Sequence, residues 1–117
     1  MQNHAKVVII GGGVVGCSIL YHLSKFGLKD CILLERNELT SGSSWHAAGN
    51  VHVISSDPNI SRMMAYTIGL YKDIEKESGH SVGFKPSGGF YLASNDVWAD
   101  YLKRERSKAR YMGLDQE

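Results

Sequence analysis

A run of four β-branched residues that passes directly into a glycine-rich turn is the feature that most constrains this chain. Val7–Ile10 is continuously apolar, and residues 11–16 read GGGVVG. Such a run predicts a short strand buried on both faces of a parallel sheet. Gly11, Gly13 and Gly16 match the spacing G-x-G-x-x-G, which connects a strand to a helix at a phosphate-binding turn. The stretch predicts the first half of a strand–helix–strand unit.

Each glycine of this motif has its own expected role. Gly11 permits the tight turn out of the strand, Gly13 has no side chain to block a pyrophosphate, and Gly16 allows close packing of helix and sheet. The helix is predicted over residues 13–26 and to end at Gly27 in the left-handed conformation. Its predicted apolar stripe is Val15, Ile19, Leu20, Leu23 and Phe26.

The second predicted strand, Cys31–Leu34, is followed by Glu35, 24 positions after Gly11. An acidic residue there can accept hydrogen bonds from the ribose hydroxyls of an adenosine and would repel a 2′-phosphate. The alternative for the motif glycines is an ordinary flexible loop, and the alternative for Glu35 is a solvated strand end. Further predicted contacts with a nucleotide cofactor bound at this turn are Val14 and Val15 in the first helical turn and Arg36 beside Glu35.

Residues 37–50 are rich in small and polar side chains, among them Ser43 and Ser44. Their hydroxyls and amides are candidate ligands for a phosphate or a ribityl chain, and either serine could cap a short helix whose N-terminus favours an anion. Composition alone fits an ordinary loop equally well.

The remaining chain predicts helices and short strands. A short strand is expected at residues 51–54, and a helix capped by Asp57 with Pro58 at its first position is expected to continue to about Ser78. Residues 82–93 predict a β-hairpin. A last helix over residues 97–112 carries a charged cluster, residues 103–108, expected to be a solvated face. We expect two domains, 1–56 and 57–117, and the α/β fold class.

Composition excludes several functions. Among 117 residues, 13 basic and 12 acidic side chains give a net charge of +1, so no nucleic acid or anionic membrane is expected as a partner. The two cysteines and five histidines lack metal-ligand spacing, and no apolar run is long enough to cross a bilayer. Because residues 1–6 are mostly polar and lead directly into the first predicted strand, we expect no leader segment and predict a cytoplasmic location.

Three stretches together resemble a known family: the glycine turn with Glu35 and Arg36, the sequence LTSGSSWHAAG at residues 39–49, and residues 82–93. Their pattern is similar to the N-terminal portion of dimethylglycine and sarcosine dehydrogenases, among the D-amino-acid-oxidase-like flavoenzymes. The resemblance implies a Rossmann-like FAD-binding unit, FAD rather than NAD, and oxidation of an N-methylated amine by hydride transfer to flavin. It also implies tetrahydrofolate as an acceptor in relatives with a folate-binding region.

In members of that family with the Trp-His-Ala-Ala-Gly sequence, the histidine carries the flavin covalently. By position this residue is His46, and a neutral imidazole is a nucleophile near pH 7. The alternative is a loop histidine that only hydrogen-bonds near the flavin ring.

The chain departs from the family in length, since those enzymes have several hundred residues. We therefore expect a truncated protein with an incomplete substrate domain, exposed sheet edges, and no turnover on its own. Whether the chain is an enzyme is left open, and its catalytic residues are unknown. The alternatives are a non-catalytic regulatory or binding protein on the same scaffold, and an oxidase for another amino acid or a polyol.

Overall fold

The computed structural model describes residues 4–114, which form two strands and three helices. In chain order these are β1 (Val7–Ile10), α1 (Val14–Lys25), β2 (Cys31–Leu34), α2 (Pro58–Ser78) and α3 (Asp96–Tyr111). The chain divides into two compact units, Met1–Asn50 and Val51–Glu117. The first is a strand–helix–strand unit, and the second contains α2, α3 and irregular segments. The α/β class is confirmed, and the predicted boundary after residue 56 stays a prediction.

The two strands pair in parallel with no offset. Val7 is opposite Cys31 and Ile10 is opposite Leu34, so both predicted strands are confirmed at their predicted bounds. Side chains alternate between the two faces of a strand, so Val7, Ile9, Cys31 and Leu33 share one face. Helix α1 covers that face, because the Cα of Gly16 lies close enough to Ile9 for an added Cβ to be 3.4 Å from Ile9 Cγ2.

The prediction that β1 is buried on both faces is wrong. Ile9 is 7% exposed, whereas Val8 is 50% and Ile10 is 86% exposed. The reason is geometric: α1 packs against one face of the two-stranded sheet, and no second layer among the described residues of the first unit covers the other. An uninterrupted apolar run cannot by itself tell which of its faces is covered.

Helix α1 has nearly the predicted length, but its predicted stripe is wrong in part. Val15 is 69%, Ile19 is 44% and Phe26 is 83% exposed. The covered face instead contains Gly16, which is buried, and Leu20 and Leu23, which are half-buried. Because Gly16 makes the closest approach to the sheet, the residues four and seven positions later share its face. Gly27 has φ +84°, which confirms the predicted left-handed end.

In the second unit, the predicted ends of α2 are confirmed. The Asp57 side chain accepts hydrogen bonds from the Asn59 and Ile60 N–H groups, and Pro58 is the first helical residue. Gly79 has φ +70° and ends the helix. The Asn95 side chain likewise accepts from the Trp98 N–H at the start of α3. These ends depend on residues next to each other in the sequence.

The predicted strand at 51–54 and the hairpin at 82–93 are absent from the described part of the second unit. An isolated two-stranded hairpin is marginally stable without further strands or a packed helix. Gly83 and Gly88, with φ of +72° and +70°, also interrupt the extended backbone. Instead, the segment after α2 folds back on that helix, where Glu75 Oε1 accepts from Ser81 Oγ at 2.8 Å and from the Val82 N–H at 2.9 Å.

One residue of the charged cluster on α3 is not solvated as predicted. Glu105 is 8% exposed, and its Oε1 lies 2.7 Å from Lys108 Nζ. It lies four positions before Ala109, which is fully buried, so both share the covered face of α3. The four basic residues of the cluster are exposed, as expected.

The described residues 4–114 also bear on membrane insertion and metal binding. Within that range no helix combines the length and apolarity that a membrane span requires. The same residues contain no group of three or more side chains arranged to bind a metal ion.

Candidate functional site

The glycine turn (residues 11–16) begins where the parallel ladder ends. The Gly11 N–H donates to the Leu34 carbonyl oxygen at 2.8 Å. Gly11 then adopts φ +105°, a conformation that favours glycine. A Cβ on Gly16 would lie against the Gly11 carbonyl oxygen, which is backbone. Two of the three motif glycines are therefore required by the local geometry in the roles predicted for them.

The third motif glycine, Gly13, faces a serine from the loop after β2. A Cβ on Gly13 would lie 3.1 Å from Ser44 Oγ. Gly13 is also the N-cap residue of α1 and has no side chain to cap the helix. Ser44 Oγ takes that role from 30 positions away, because it accepts the Val14 N–H at 2.9 Å.

The first turn of α1 presents further backbone donors. The first N–H groups of an α-helix have no acceptor within the helix, and they lie at the positive end of its dipole. Among residues 4–114, the Val15 and Gly16 N–H groups have no hydrogen-bond acceptor. Together with Gly13, which carries no side chain, these donors form a site that suits an anion such as a pyrophosphate.

Glu35 lies half-buried beside this turn. Its Oε2 accepts the Gly12 N–H at 2.7 Å, and its Oε1 accepts the Asn37 N–H at 2.9 Å. The hydrogen bond from Gly12, then that from Asn37, with a smaller contribution from exposed Arg36, lower the pKa of this carboxyl below its ordinary value of 4.5. Each carboxylate oxygen keeps a lone pair, so an ionised Glu35 can still accept a ribose hydroxyl.

Gly12, the unspecified position of the motif, is a site residue that the sequence did not single out. It is buried, its N–H donates to Glu35, and its carbonyl oxygen accepts the Thr40 N–H at 2.9 Å. A Cβ there would lie 2.5 Å from Leu39 Cδ2. Thr40 has a φ of 64°, which is rare for a β-branched residue. The run of three glycines is a sequence signal that Gly12 also has a structural role. Its contact with Thr40 leaves no periodic pattern in the sequence, because the two residues are 28 positions apart.

Residues 39–46 form consecutive turns, which we name the histidine turn because they end at His46. His46 Nδ1 lies 3.0 Å from the Gly42 carbonyl oxygen. Since a carbonyl only accepts, Nδ1 is the donor of this hydrogen bond, and in the neutral imidazole Nε2 then keeps its lone pair. His46 is exposed, and its ring centroid is 4.2 Å from that of Trp45.

The structure brings some predicted site residues together and separates others. Six share the contacts around the glycine turn: Gly11, Gly13, Val14 and Gly16 through their backbones, and Glu35 and Ser44 through their side chains. Val15 lies in the same turn, and its N–H has no acceptor among residues 4–114. The other three, Arg36, Ser43 and His46, are exposed; the charge of Arg36 acts on Glu35, and within the described range the Ser43 hydroxyl has no hydrogen bond to the turn.

Comparison with known proteins identifies the family of this chain. Residues 6–117 match the family of FAD dependent oxidoreductases. This chain belongs to that family. Human mitochondrial dimethylglycine dehydrogenase is 41% identical over 115 residues, which are 98% of this chain and 13% of that relative. Human mitochondrial sarcosine dehydrogenase is 38% identical over 116 residues, again 98% of this chain and 13% of the relative.

A third relative is named as a regulatory subunit and not as a dehydrogenase. The mouse mitochondrial pyruvate dehydrogenase phosphatase regulatory subunit is 36% identical over 117 residues, which are 100% of this chain and 13% of that protein. The chain thus spans about 13% of the length of these relatives. The predicted resemblance and the FAD dependence of the family are confirmed. All three relatives are described as mitochondrial, and the cytoplasmic location stays a prediction.

Proposed function

We propose that this chain supplies the adenosine- and pyrophosphate-binding part of an FAD-dependent oxidoreductase that acts on N-methylated amines. In this proposal β1, α1 and β2 are the opening unit of a Rossmann-like sheet, and the second unit belongs to an incomplete substrate domain. The observation that carries the proposal is the glycine turn with Glu35 Oε2 bonded to it at 2.7 Å. This geometry provides an anion site beside a ribose acceptor.

The residues fit the cofactor on three points. Gly13 carries no side chain at the helix N-terminus, where a Cβ would already lie 3.1 Å from Ser44 Oγ, and the Val15 and Gly16 N–H groups suit the pyrophosphate. Glu35 is ionised at neutral pH and can accept from the ribose hydroxyls. Arg36 and Ser43 remain proposed outer contacts of the cofactor, Arg36 through its positive charge and Ser43 through its hydroxyl.

FAD, when bound, supplies the acceptor for a hydride removed from the carbon next to the amine nitrogen. The described residues contribute binding and orientation, and we assign no catalytic residue among them. The amine substrate is proposed from the relatives named for dimethylglycine and sarcosine. Tetrahydrofolate as the acceptor of the one-carbon product is a further proposal from the resemblance.

Binding is tested with the purified 117-residue chain, by titration of FAD followed by quenching of flavin fluorescence. Gly13→Leu places a side chain over the anion site, and we expect the Kd for FAD to rise at least about tenfold. Gly42→Ala is the matched control, because a Cβ there meets nothing within 4 Å. Equal affinity of the wild type and Gly13→Leu would contradict the proposed site.

We also propose His46 Nε2 as the atom that joins the flavin covalently, since Nδ1 is hydrogen-bonded to the Gly42 carbonyl oxygen. His46 would supply the nucleophilic nitrogen of this linkage and FAD a methyl carbon. The linkage would require the loss of one proton from each partner and of two electrons to an oxidant such as dioxygen, which would become hydrogen peroxide. We expect acid-precipitated protein to retain flavin fluorescence, and His46→Ala to lose it. His52→Ala, another exposed histidine, is the control. Retained fluorescence in His46→Ala would exclude the linkage.

The alternative is a non-catalytic regulatory or binding protein, which the similarity to the phosphatase regulatory subunit favours. Because we expect no turnover by the isolated chain, the two are distinguished in a protein that joins this chain to a complete substrate domain. There, bleaching of bound flavin by dimethylglycine or sarcosine would support the dehydrogenase proposal. Bound flavin that neither amine reduces would support the alternative, and reduction by another amino acid or a polyol would indicate a different oxidase of the family.

A further inference from the structure

Helix α1 is capped by a residue far away in the sequence. Its own N-cap, Gly13, has no side chain, and Ser44 Oγ accepts the Val14 N–H at 2.9 Å. Because a Cβ on Gly13 would lie 3.1 Å from the same oxygen, the absence of a side chain there is what admits the serine. A serine hydroxyl has one donor and two acceptor sites, so this contact leaves its O–H able to donate.

Ser44 is also part of the short structure that places His46. The His46 N–H donates to the Ser43 carbonyl oxygen at 3.2 Å, and the Ala47 N–H donates to the Ser44 carbonyl oxygen at 3.4 Å. His46 Nδ1 is bonded to Gly42 at 3.0 Å. The histidine turn is also connected to the glycine turn by the Thr40 N–H, which donates to Gly12 at 2.9 Å. Ser44 therefore lies inside the same run of turns, between the two carbonyl groups that hold His46 and His46 itself.

We propose that Ser44 is a positioning residue that connects the pyrophosphate site to His46. Its oxygen accepts from Val14 while its O–H donates to a phosphate oxygen at the N-terminus of α1. Binding of the adenosine diphosphate half of the cofactor thereby fixes the histidine turn before the flavin ring reaches His46. This inference rests on the proposed function for the anion, but the contact between Ser44 and α1 exists in the free chain.

The free chain is tested first, by NMR of the wild type, Ser44→Ala, Ser44→Thr and Ser41→Ala. Ser41→Ala is the matched control, because it removes an exposed hydroxyl of the same turn that has no hydrogen bond within the described residues and no proposed contact with the cofactor. We expect Ser44→Ala to accelerate exchange of the Val14 amide about fivefold, as for the loss of one helix cap, and to shift the His46 ring signals. Ser44→Thr should restore both. His46 signals that are the same in Ser44→Ala and Ser41→Ala would overturn the inference.

The second experiment adds ADP, which carries the pyrophosphate without the flavin. In a Trp98→Phe background the fluorescence reports Trp45, whose ring lies 4.2 Å from that of His46. We expect ADP to change this fluorescence in the wild type and Ser41→Ala, and at least about threefold less in Ser44→Ala at saturating ADP. An undiminished change in Ser44→Ala overturns the connection while the nucleotide site stands. If calorimetry detects no ADP binding to the wild type, the proposed nucleotide site fails separately, and the cofactor-dependent part of the inference fails with it.

Discussion

Gly16 is a residue whose substitution the backbone cannot absorb. An added Cβ would lie against the Gly11 carbonyl oxygen, and the peptide of that carbonyl is held because its N–H, that of Gly12, donates to Glu35 Oε2 at 2.7 Å. We predict that Gly16→Ala lowers the free energy of unfolding by about 1–3 kcal/mol, as overpacking does, and also weakens FAD binding. Urea denaturation followed by circular dichroism measures the first effect. Gly42→Ala, which adds a Cβ in open space, should change stability by less than about 0.5 kcal/mol. Equal stabilities of the two variants would contradict the prediction.

Glu35 makes stability depend on pH with a definite sign. Its pKa is lowered in the folded state by the hydrogen bonds from Gly12 and Asn37, so near its ordinary value of 4.5 the unfolded chain binds more protons. The stabilisation is fully present above 4.5 and is lost as the pH falls through the lower folded-state pKa. We predict that Glu35→Gln removes this part of the acid sensitivity.

Urea midpoints measured between pH 7 and pH 3 check the prediction for Glu35. Glu38→Gln removes the same charge from an exposed side chain three positions on, and it should keep the acid sensitivity of the wild type. A Glu35→Gln variant that loses stability on acidification as steeply as Glu38→Gln would show that the Gly12 and Asn37 hydrogen bonds do not favour the ionised form.

At the scale of elements, α2 begins at a cap whose contribution can be measured. Asp57 Oδ1 accepts the Asn59 N–H at 2.7 Å and the Ile60 N–H at 3.3 Å. The charge of Asp57 also lies at the positive end of the helix dipole. We predict that Asp57→Ala destabilises the protein by about 1 kcal/mol. Thermal denaturation followed by circular dichroism measures the change. Asp73→Ala removes an exposed carboxylate inside the same helix and should have less than half this effect; a larger one would locate the stabilisation away from the cap.

The ends of the elements could be predicted from sequence, whereas their covered faces could not. Asp57 with Pro58, Gly79 and Asn95 act on neighbouring residues, so their chemistry is visible locally. Which face of α1 is covered depends on where Gly16 contacts the sheet. The predicted hairpin at residues 82–93 needs further strands or a packed helix, and the sequence does not specify them. In the site, Gly11, Gly13, Gly16 and Glu35 were predictable because their spacing is fixed by one strand–helix–strand unit. The contacts of Ser44 and Thr40 with the glycine turn were not, since they join residues 30 and 28 positions apart.

At the scale of the whole molecule, little apolar surface is removed from water. Among residues 4–114, the buried hydrophobic residues are Ile9 and Ala109, one in each unit. Burial of apolar area is the main favourable term in folding, so a core of this size predicts low stability for the 117-residue chain. The uncovered face of the sheet also leaves apolar side chains and strand edges available for self-association. The predicted instability of the isolated chain stays a prediction, and it can be tested on one pair of residues.

Ile9 and Ile10 are identical neighbours on opposite faces of β1, 7% and 86% exposed. We predict that Ile9→Ala destabilises the chain by about 2 kcal/mol or more, because it leaves a cavity beneath α1. Ile10→Ala should change stability by less than about 0.5 kcal/mol, because its side chain is already in water. It should also reduce self-association, which sedimentation velocity at several concentrations would measure. If Ile10→Ala destabilises the chain as much as Ile9→Ala, both faces of the sheet are covered in solution. If association is unchanged, it proceeds through another surface.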